Sequence, residues 1–396
     1  MDVSNAIYLD HAATTPPLPE ALERLNRLNS EVFGNSASVH AIGRRAAASL
    51  EQSQDAVSRV FNVPPSHVIF TSGGTESNNL AIWGALGGLS QGIQWLKSES
   101  EGQIITSVNE HDATKKPIEC LESLGANVAW IGVDREGFLD LAALENALLK
   151  RTKLLTIHHV QSEIGTVQNL RAISDLARAR SPSALIHTDA AQSFLKMPLD
   201  PAELGVDLLS ISGHKIGAPK GIGALILGKR FENRKPRIEP FLQGSSQQGG
   251  SRPGTVPVPL IGSLAAAIEW GNENLARNRE RLTALQRHLL QGLPERAVLN
   301  GPKADDGGRA PQTVNFSIPG FPSGMMVEAL AERGICVSAG SACHSTSPKP
   351  NETVENLGVG GERALSALRV SLSPMTTTEA IDAFLSILSE TIRQYS

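Results

Sequence analysis

The chain has few cysteines, few aromatic residues and no excess of either charge. Only three of its 396 residues are cysteine, and Cys120, Cys336 and Cys343 form no CxxC pair and leave an odd count. This pattern fits neither a disulfide framework nor a cysteine-based zinc site. The formal net charge of -4 lacks the basic excess that binding to a phosphate backbone requires, so we expect no direct nucleic-acid partner.

Long apolar runs are also missing. No stretch approaches the roughly 18 apolar residues of a membrane-spanning helix. The amino terminus has neither the cationic start nor the apolar core of a secretory signal. We therefore expect a cytoplasmic protein with no membrane partner. Hydrophobic residues make up 40% of the chain, which at this length is enough to form two domain cores.

Between about residues 67 and 227, short β-branched runs alternate with helix-length apolar patterns. This alternation is typical of βαβ units around a mostly parallel sheet, and so predicts an α/β fold. Ligands of such sheets bind at the carboxyl ends of the strands, so residues that follow the strands are candidates for a site. The seven predicted strands span residues 67–71, 104–107, 128–133, 154–158, 184–189, 208–212 and 223–227.

The pattern changes after residue 255. One long helix is predicted over residues 259–290, and it is followed by separated strands and a closing helix over residues 377–393. Such a mixture indicates a smaller α+β domain, which the amino-terminal segment can join. We therefore expect a large domain over residues 16–255 and a small domain made of residues 1–15 and 256–396.

Two candidate site residues each end an apolar run typical of a buried strand. Lys215 follows residues 208–214, and Asp189 closes residues 184–189. Pyridoxal phosphate (PLP) requires both residue types, because an amine bonds to its aldehyde carbon and a carboxylate keeps its ring nitrogen protonated. The pair suggests a PLP site, although a lysine at a strand end is also a common surface residue.

The segment after the first predicted strand has the features of a phosphate-binding turn. Gly73 and Gly74 allow the backbone to approach an anion, Thr75 offers a hydroxyl, and the amino terminus of a predicted helix follows. The GxxxxGK[ST] spacing is absent, so the segment is not a nucleotide-binding P-loop. The phosphate of PLP fits this turn, while a plain Gly-Gly turn without a ligand is the alternative.

Further polar residues stand where the topology brings them to the same edge of the sheet. His111 follows the second predicted strand and could stack on a pyridine ring and relay protons. Gln192, Ser212 and His214 could hydrogen-bond to the cofactor, and Arg369 could hold a substrate carboxylate. Each of these side chains could equally be an ordinary surface residue, such as an arginine in a surface ion pair.

Cys343 lies between a predicted strand and a polar, turn-rich stretch over residues 341–358, which is predicted to be a long loop. A thiol in an accessible, mobile segment can attack a substrate and then move away, provided that its neighbours populate the thiolate. Cys336 and Cys120 instead belong to strand and helix patterns, and we expect both to be buried and inert.

Seven motifs occur in a fixed order between residues 8 and 343. They span Tyr8–Thr15, Gly34–His40, Phe70–Asn79, Glu163–Thr166, His187–Gln192, Ser212–Lys215 and Gly340–Cys343. In this order they resemble the cysteine desulfurases, the PLP enzymes related to the class-V aminotransferases. The resemblance implies PLP-dependent fold type I, with a seven-stranded, mainly parallel sheet in the large domain and a smaller α+β domain carrying the catalytic cysteine. It also implies an enzyme that converts L-cysteine to L-alanine.

The resemblance implies how the candidate residues hold the cofactor. Lys215 forms the Schiff base, Asp189 pairs with the ring nitrogen, His111 stacks on the ring, and Gln192 contacts the phenolate oxygen. The remaining cofactor contacts, most of them to the phosphate, are Gly74, Thr75, Ser162, Ser212 and His214. Thr255 matches a threonine that completes the phosphate site of a partner subunit, which implies a homodimer.

The resemblance also implies roles toward substrate and sulfur acceptor. Asn35 and Arg369 match positions that bind the substrate carboxylate. Cys343 matches the cysteine that takes up sulfur as a persulfide and delivers it to an acceptor protein. That acceptor is either a scaffold for iron–sulfur cluster assembly or a carrier for tRNA thiolation, and the sequence does not distinguish them.

Ser162 departs from the family pattern, which usually has asparagine directly before Glu-Ile-Gly. The shorter hydroxyl leaves turnover and substrate preference open. Ser162 is also the reason to keep a low-activity scaffold for sulfur assembly as an alternative. Two others stand beside it: a selenocysteine lyase, whose relatives share a string like Ala342–Ser345, and a PLP aminotransferase or epimerase that has no need of Cys343.

Overall fold

The computed structural model describes residues 6–88, 102–232, 238–303, 307–340 and 349–395. Its strands are β1 (Ile7–Tyr8), β2 (Val68–Thr71), β3 (Gln103–Ser107), β4 (Val128–Ile131), β5 (Thr152–Thr156), β6 (Leu185–Asp189), β7 (Leu208–Ser212), β8 (Gly223–Leu227), β9 (Val298–Asn300), β10 (Thr313–Ser317), β11 (Ile335–Cys336) and β12 (Ala367–Ser371). Its helices are α1 (Pro19–Glu31), α2 (Ala41–Val60), α3 (Gly74–Ala85), α4 (Asp112–Ser123), α5 (Leu141–Ala147), α6 (Leu170–Arg180), α7 (Pro201–Leu204), α8 (Val258–Glu273), α9 (Leu275–Gly292), α10 (Ser323–Glu332), α11 (Glu352–Glu355), α12 (Gly361–Leu365) and α13 (Thr378–Tyr395).

A seven-stranded sheet organises the larger part of the described chain, in the order β2-β8-β7-β6-β5-β3-β4. The neighbours from β7 to β4 are parallel, whereas β8 runs antiparallel to both β2 and β7. Strand β2 therefore points the same way as the parallel strands, and the carboxyl ends of β2, β7, β6, β5 and β3 lie at one edge. The predicted seven-stranded, mainly parallel α/β sheet is confirmed.

Alternate residues of the central strands enter two different apolar clusters. Ile105 and Leu155 belong to the cluster that contains residues of α2, α6 and α8. Their neighbours Ile104 and Leu154 belong to a cluster with residues of α3 and α4. Because successive side chains of a strand point to opposite faces, the sheet is covered by helices on both faces, as expected for parallel strands.

A second, smaller core lies around the strands that follow residue 297. Strands β12, β10 and β9 form an antiparallel sheet in that order, and β1 pairs with β11 in parallel. Leu9, Phe316 and Phe384 are buried in the apolar cluster that joins these strands to helices α9, α10 and α13. The amino-terminal strand thus packs with the carboxyl-terminal part of the chain.

The predicted single helix over residues 259–290 is wrong, because α8 and α9 are separate helices that meet at Asn274. The backbone of Asn274 has φ −102° and ψ 4°, and its Nδ2 donates to the carbonyl of Trp270 at 2.8 Å. Helix α8 packs in the larger core and α9 in the smaller one. The domain boundary at residue 255 stays a prediction.

Other local predictions also need correction. Cys120 is exposed rather than buried, and Cys336 is partly buried. The stretch over residues 341–358 is not a continuous loop, because Asn351 caps helix α11 by accepting from the backbone N–H of Val354. Helices α1 and α2 were not predicted. Among the helices of the described ranges, none combines the length and the apolarity needed to cross a membrane.

Candidate active site

A cavity of about 610 Å³ lies at the carboxyl edge of the large sheet. Its lining residues follow β2, β3, β5, β6 and β7, so the sheet topology brings together segments that are distant in sequence. The predicted site residues that line it are Gly74, Thr75, His111, Ser162, Asp189, Gln192, Ser212, His214 and Lys215. The remaining ones divide into two groups: Asn35, Thr255 and Arg369 are not part of the lining, and Cys343 lies outside the described residues.

Asp189 ends β6 and is held at the cavity wall by two donors. Its Oδ2 accepts from Nδ2 of Asn78 at 2.6 Å, and its Oδ1 accepts from the backbone N–H of Ala191 at 2.9 Å. Asn78 is fully buried on α3. These hydrogen bonds fix the carboxylate in one orientation, in which it can pair with a cationic ring nitrogen.

Lys215 follows β7 in a short turn and directs its amine to the segment after β1. Nζ donates to the carbonyl of Ala12 at 2.5 Å and to that of Ala13 at 2.7 Å. Burial, together with the guanidinium of Arg369, lowers the pKa of this amine from 10.5 to about 8, although the carboxylate of Asp189 opposes the shift. The lowered pKa increases the neutral fraction of the amine, which is the form that attacks an aldehyde carbon.

The turn between β2 and α3 leaves the amino terminus of the helix open. Gly73 has φ 153°, and no side chain caps α3, so its first N–H groups are available to a ligand. A Cβ on Gly74 would lie 3.2 Å from Cβ of Ser212, and a Cβ on Gly223 would lie 2.7 Å from the backbone of Gly73. The close approach of these backbones therefore requires glycine. It brings the Ser212 side chain close to the helix terminus, as an anion site requires.

Two further side chains surround this helix terminus. Thr75 is exposed in the first turn of α3. Nδ1 of His214 lies 3.1 Å from Oγ1 of Thr14. Burial, with the nearby charges of Lys215 and Lys220, lowers the pKa of His214 to about 4. The imidazole is therefore neutral near pH 7 and can serve as a hydrogen-bonding group without adding a charge.

Glu76 connects the same helix terminus to the loop that carries Thr255. Its carboxylate accepts from the backbone N–H of Ser72 at 2.7 Å and from Nε and Nη2 of Arg252 at 2.8 and 3.2 Å. Burial tends to raise the pKa of Glu76, but the hydrogen bonds from Arg252 and Ser72 outweigh it and lower the pKa. Thr255, three residues beyond Arg252, is exposed.

His111 lies at the rim of the cavity and caps helix α4. Its Nδ1 accepts from the backbone N–H of Ala113 at 3.0 Å. This acceptor role places the proton of the neutral ring on Nε2. The cap fixes the position of an exposed imidazole ring, which suits a residue that stacks on a planar ligand.

Gln192 and Ser162 line the cavity but also hold protein contacts. Nε2 of Gln192 donates to the carbonyl of Ala12 at 3.0 Å, and the carbonyl of Gln192 accepts from Gln312 at 2.7 Å. The carbonyl of Ser162 accepts from Nη1 of Arg369 at 3.3 Å. The predicted contact of Gln192 and Ser162 with the cofactor stays a prediction.

Arg369 is buried on β12 between two carboxylates. Its Nη1 lies 2.7 Å from Oε1 of Glu163, and its Nη2 lies 2.8 Å from Oδ1 of Asp10. Asn35 is exposed, and its Oδ1 accepts from the backbone N–H of Ala37 at 2.9 Å. The structure places neither residue in the cavity wall, so their role toward a substrate carboxylate stays a prediction.

Two parts of the site were missed by sequence reasoning. The first is Asn78, which orients Asp189. It lies four residues after Gly74, so the helical period would have placed both on the same face of α3. The second is the turn at Ala12 and Ala13, whose carbonyls accept from Lys215. Backbone acceptors of this kind leave no signal in the side-chain sequence.

The donors and acceptors around the cavity fit PLP. The amine of Lys215 matches the aldehyde of the cofactor, the fixed carboxylate of Asp189 matches its ring nitrogen, and the open terminus of α3 matches its phosphate. Three chemically different partners on one cavity wall are a more specific match than any of them alone.

A family model for class-V aminotransferases matches residues 7–384. The chain belongs to the class-V aminotransferase family. This family is PLP-dependent, so the family and the chemistry of the cavity agree.

Two curated relatives of this class-V member carry the name cysteine desulfurase IscS. The protein from Dictyoglomus turgidum is 36% identical over 391 residues, covering 98% of this chain and 95% of that protein. The protein from Escherichia coli O139:H28 is 37% identical over 393 residues, covering 98% and 92%.

Solved structures show that this class-V member has the PLP-dependent fold type I of the cysteine desulfurases. A NifS-like protein aligns with a TM-score of 0.88 at 28% identity, covering 98% of this chain and 99% of that one. The apo cysteine desulfurase from Thermococcus onnurineus NA1 has a TM-score of 0.84 at 25% identity, with 99% and 96% covered. SspA, solved in complex with cysteine, has a TM-score of 0.77 at 30% identity, with 93% and 99% covered.

Proposed function

We propose that this chain is a PLP-dependent cysteine desulfurase, which converts L-cysteine to L-alanine and takes up the sulfur as a persulfide on Cys343. The observation that carries the proposal is that the Lys215 amine and the Asp189 carboxylate line one cavity beside an uncapped helix terminus. Relatives named as cysteine desulfurases, which match 98% of the chain, support the same activity.

The residues that would hold the cofactor supply partners for three of its polar groups: the aldehyde, the ring nitrogen and the phosphate. Lys215 offers the amine for covalent attachment, and Asp189 offers the carboxylate for the ring nitrogen. The N–H groups at the start of α3, with Ser212 and Thr75, offer donors for the phosphate. When bound, PLP acts as an electron sink for a substrate carbon atom.

Lys215 also has the properties of a proton carrier. Its pKa of about 8 lies close enough to neutrality that the amine can both accept and release a proton at physiological pH. The carbonyls of Ala12 and Ala13 hold Nζ beside the segment that follows β1. From there Lys215 takes a proton from the α-carbon of the substrate. To complete alanine, one proton is added to the β-carbon and one to the α-carbon, and the proton released by the Cys343 thiol balances the second.

Cys343 follows a point of the chain that is anchored beside the site. Gly340, three residues earlier, packs so closely that an added Cβ would lie 2.2 Å from Nδ2 of Asn351 and 3.1 Å from Oε2 of Glu163. Glu163 in turn pairs with Arg369. Gly340 therefore lies next to the pair of Glu163 and Arg369, three residues before Cys343 in the sequence.

The sulfur step proposed for Cys343 is a nucleophilic displacement. The Cys343 thiolate attacks the sulfur of the substrate, so an S–S bond forms while the bond between that sulfur and the β-carbon breaks. The electron pair of the broken bond stays with the carbon, which becomes the methyl group of alanine after it receives a proton. The sulfur stays on the protein as a persulfide, and no external oxidant is consumed.

We further propose a cytoplasmic homodimer in which Thr255 contributes to the phosphate site of the partner subunit. Thr255 is exposed, and the pairing of Arg252 with Glu76 ties its loop to the edge of the cavity. Phe33 and Val39 are 71% and 85% exposed, and apolar side chains of this kind suit a subunit contact. The sulfur acceptor is a second protein, for iron–sulfur cluster assembly or for tRNA thiolation.

The direct test is to incubate purified protein with PLP, L-cysteine and a reductant, and to measure both alanine and sulfide. We expect both products from the native chain and neither from Cys343→Ala. Cys120→Ala is the matched control, because Cys120 is an exposed cysteine on helix α4, away from the cavity lining. Alanine formation that is unchanged in Cys343→Ala would contradict the persulfide role. A higher specificity for selenocysteine in competition would instead favour a selenocysteine lyase.

A further inference from the structure

Two buried ionisable side chains beside the cavity have no part in the reaction proposed above. Glu110 follows β3 and His158 follows β5, and these two strands are neighbours. The side chains are 0% and 5% exposed, respectively. Oε1 of Glu110 accepts from Nδ1 of His158 at 2.9 Å and from the backbone N–H of the same residue at 3.0 Å. Glu110 therefore fixes both the position of the imidazole and a proton on its Nδ1.

The second ring nitrogen of His158 is the unusual atom of this pair. His158 lines the cavity, and its Nε2 is buried without a hydrogen-bond partner among the described residues. Buried polar atoms are nearly always hydrogen-bonded, so an unpartnered nitrogen on a residue that lines a cavity points to a contact with a ligand. His159 has a partnerless buried nitrogen too, but it does not line the cavity.

The strand order places His158 at a definite edge of the bound cofactor. Strand β6, which ends in Asp189, has β7 on one side and β5 on the other. Ser212 and the open terminus of α3 lie on the β7 side, where the phosphate would bind. The phosphate-bearing and phenolate-bearing carbons of PLP are on opposite edges of its ring, so a cofactor bound with its phosphate on the β7 side would have its phenolate on the β5 side. The backbone N–H of His159 donates to the carbonyl of Asp189 at 3.0 Å. This hydrogen bond holds the neighbouring residue 158 beside the carboxyl end of β6.

The phenolate oxygen also needs a donor in this chain. Nε2 of Gln192 donates one of its two hydrogens to the carbonyl of Ala12, so at most one remains for the cofactor. Ser162 has only a short hydroxyl. An imidazole that carries protons on both nitrogens can donate from Nε2, and the carboxylate of Glu110 balances its positive charge.

We propose that His158 is a further cofactor-contacting residue, which donates a hydrogen bond from Nε2 to the phenolate oxygen of PLP while Glu110 holds Nδ1–H. This inference rests on the proposed function, because it requires that PLP binds in this cavity. Glu110 acts through His158 and is a positioning residue.

The test is to titrate the cofactor-free protein with PLP and to record the dissociation constant and the visible absorption maximum. In His158→Met we expect the dissociation constant to rise about tenfold, the equivalent of about 1.4 kcal/mol, and the absorption maximum to shift. His158→Gln keeps a donor and should recover most of the affinity. His159→Met is the matched control, since it removes the neighbouring buried imidazole but leaves the cavity wall unchanged, and it should bind PLP as the native chain does.

A second measurement keeps the proposal testable if His158→Met does not fold. In protein labelled with ¹⁵N in its histidine rings, the Nε2 resonance of His158, assigned with His158→Gln, should move to the position of a protonated nitrogen when PLP is added. Glu110→Gln should weaken this change. An unchanged dissociation constant and absorption maximum in His158→Met, or an Nε2 resonance that does not respond, would overturn the inference. A native chain that forms no visible band with PLP would instead reject the cofactor assignment itself, and the inference with it.

Discussion

The amine of Lys215 should titrate near pH 8 in the cofactor-free protein, not near 10.5 as an exposed lysine does. Burial is the main cause, because removing an ammonium group from water disfavours its charged form. The guanidinium of Arg369 adds to the shift, and the carboxylate of Asp189 opposes it. The prediction therefore tests whether these groups lie around the amine as the structure places them.

The size of the effect follows from the two pKa values. At pH 7 a group with a pKa of 8 is about 9% neutral, and a group with a pKa of 10.5 is about 0.03% neutral. Only the neutral amine is a nucleophile, so Lys215 should be roughly 300 times more available for reaction than an ordinary lysine at this pH. Its reactivity should rise about tenfold per pH unit below 8 and level off above 8.

Trace acylation with an acid anhydride between pH 6 and 11, followed by mass spectrometry of the peptides, measures this curve for each lysine separately. Lys116 is the internal control, since its hydrogen bond to Glu119 raises its pKa above 10.5. Asp189→Asn removes the opposing carboxylate, so the midpoint of Lys215 should move further down. A Lys215 midpoint at or above pH 10, or an upward shift in Asp189→Asn, would refute the reasoning.

Two more predictions concern buried polar groups. Burial lowers the pKa of His187 from 6.5 to about 4. Between these two values only the unfolded chain takes up the proton. The free energy of unfolding should therefore be highest above pH 6.5 and fall by roughly 3 kcal/mol as the pH drops toward 4. Denaturant unfolding at pH 7.5 and 5.0 should show about 2 kcal/mol of this loss in the native chain and a smaller loss in His187→Asn. Asn78→Ala removes a donor from Asp189 and should weaken PLP binding several-fold. Asn79→Ala on the same helix is the control and should not weaken it. Equal PLP affinities in the two variants would contradict the role given to Asn78.

The strand ends were predictable because their signals are local. Strands β7 and β8 were predicted to the residue, since strands that are buried on both faces consist largely of apolar residues and glycines mark their ends. Lys215 and Asp189 were recognised from the same pattern, as polar residues at the ends of apolar runs. Once the strands were known, the rule that ligands bind at carboxyl ends was enough to assemble most of the cavity.

Contacts between distant segments were not predictable in this way. Glu110 and His158 are 48 residues apart, and no periodicity in either segment indicates that their side chains meet. The break at Asn274 was missed because apolar residues continue on both sides of it, although the two helices pack in different cores. The exposure of Cys120 was missed for a related reason. The period of a helix pattern shows which residues share a face, but not which face the neighbouring segments cover.

The turn after β1 explains why an amino-terminal segment is needed at a site built from the large sheet. Its Ala12 has a backbone N–H that donates to Oγ of Ser371 on β12 at 2.8 Å, so this residue is fixed to the smaller core. The carbonyl of the same residue accepts from Nζ of Lys215 and from Nε2 of Gln192, both on the large-sheet side of the cavity. One peptide segment therefore joins the two cores at the reacting amine. Because these contacts are made by backbone atoms, the position of Lys215 depends on the packing of β1 and β12 rather than on the identity of any side chain in the turn.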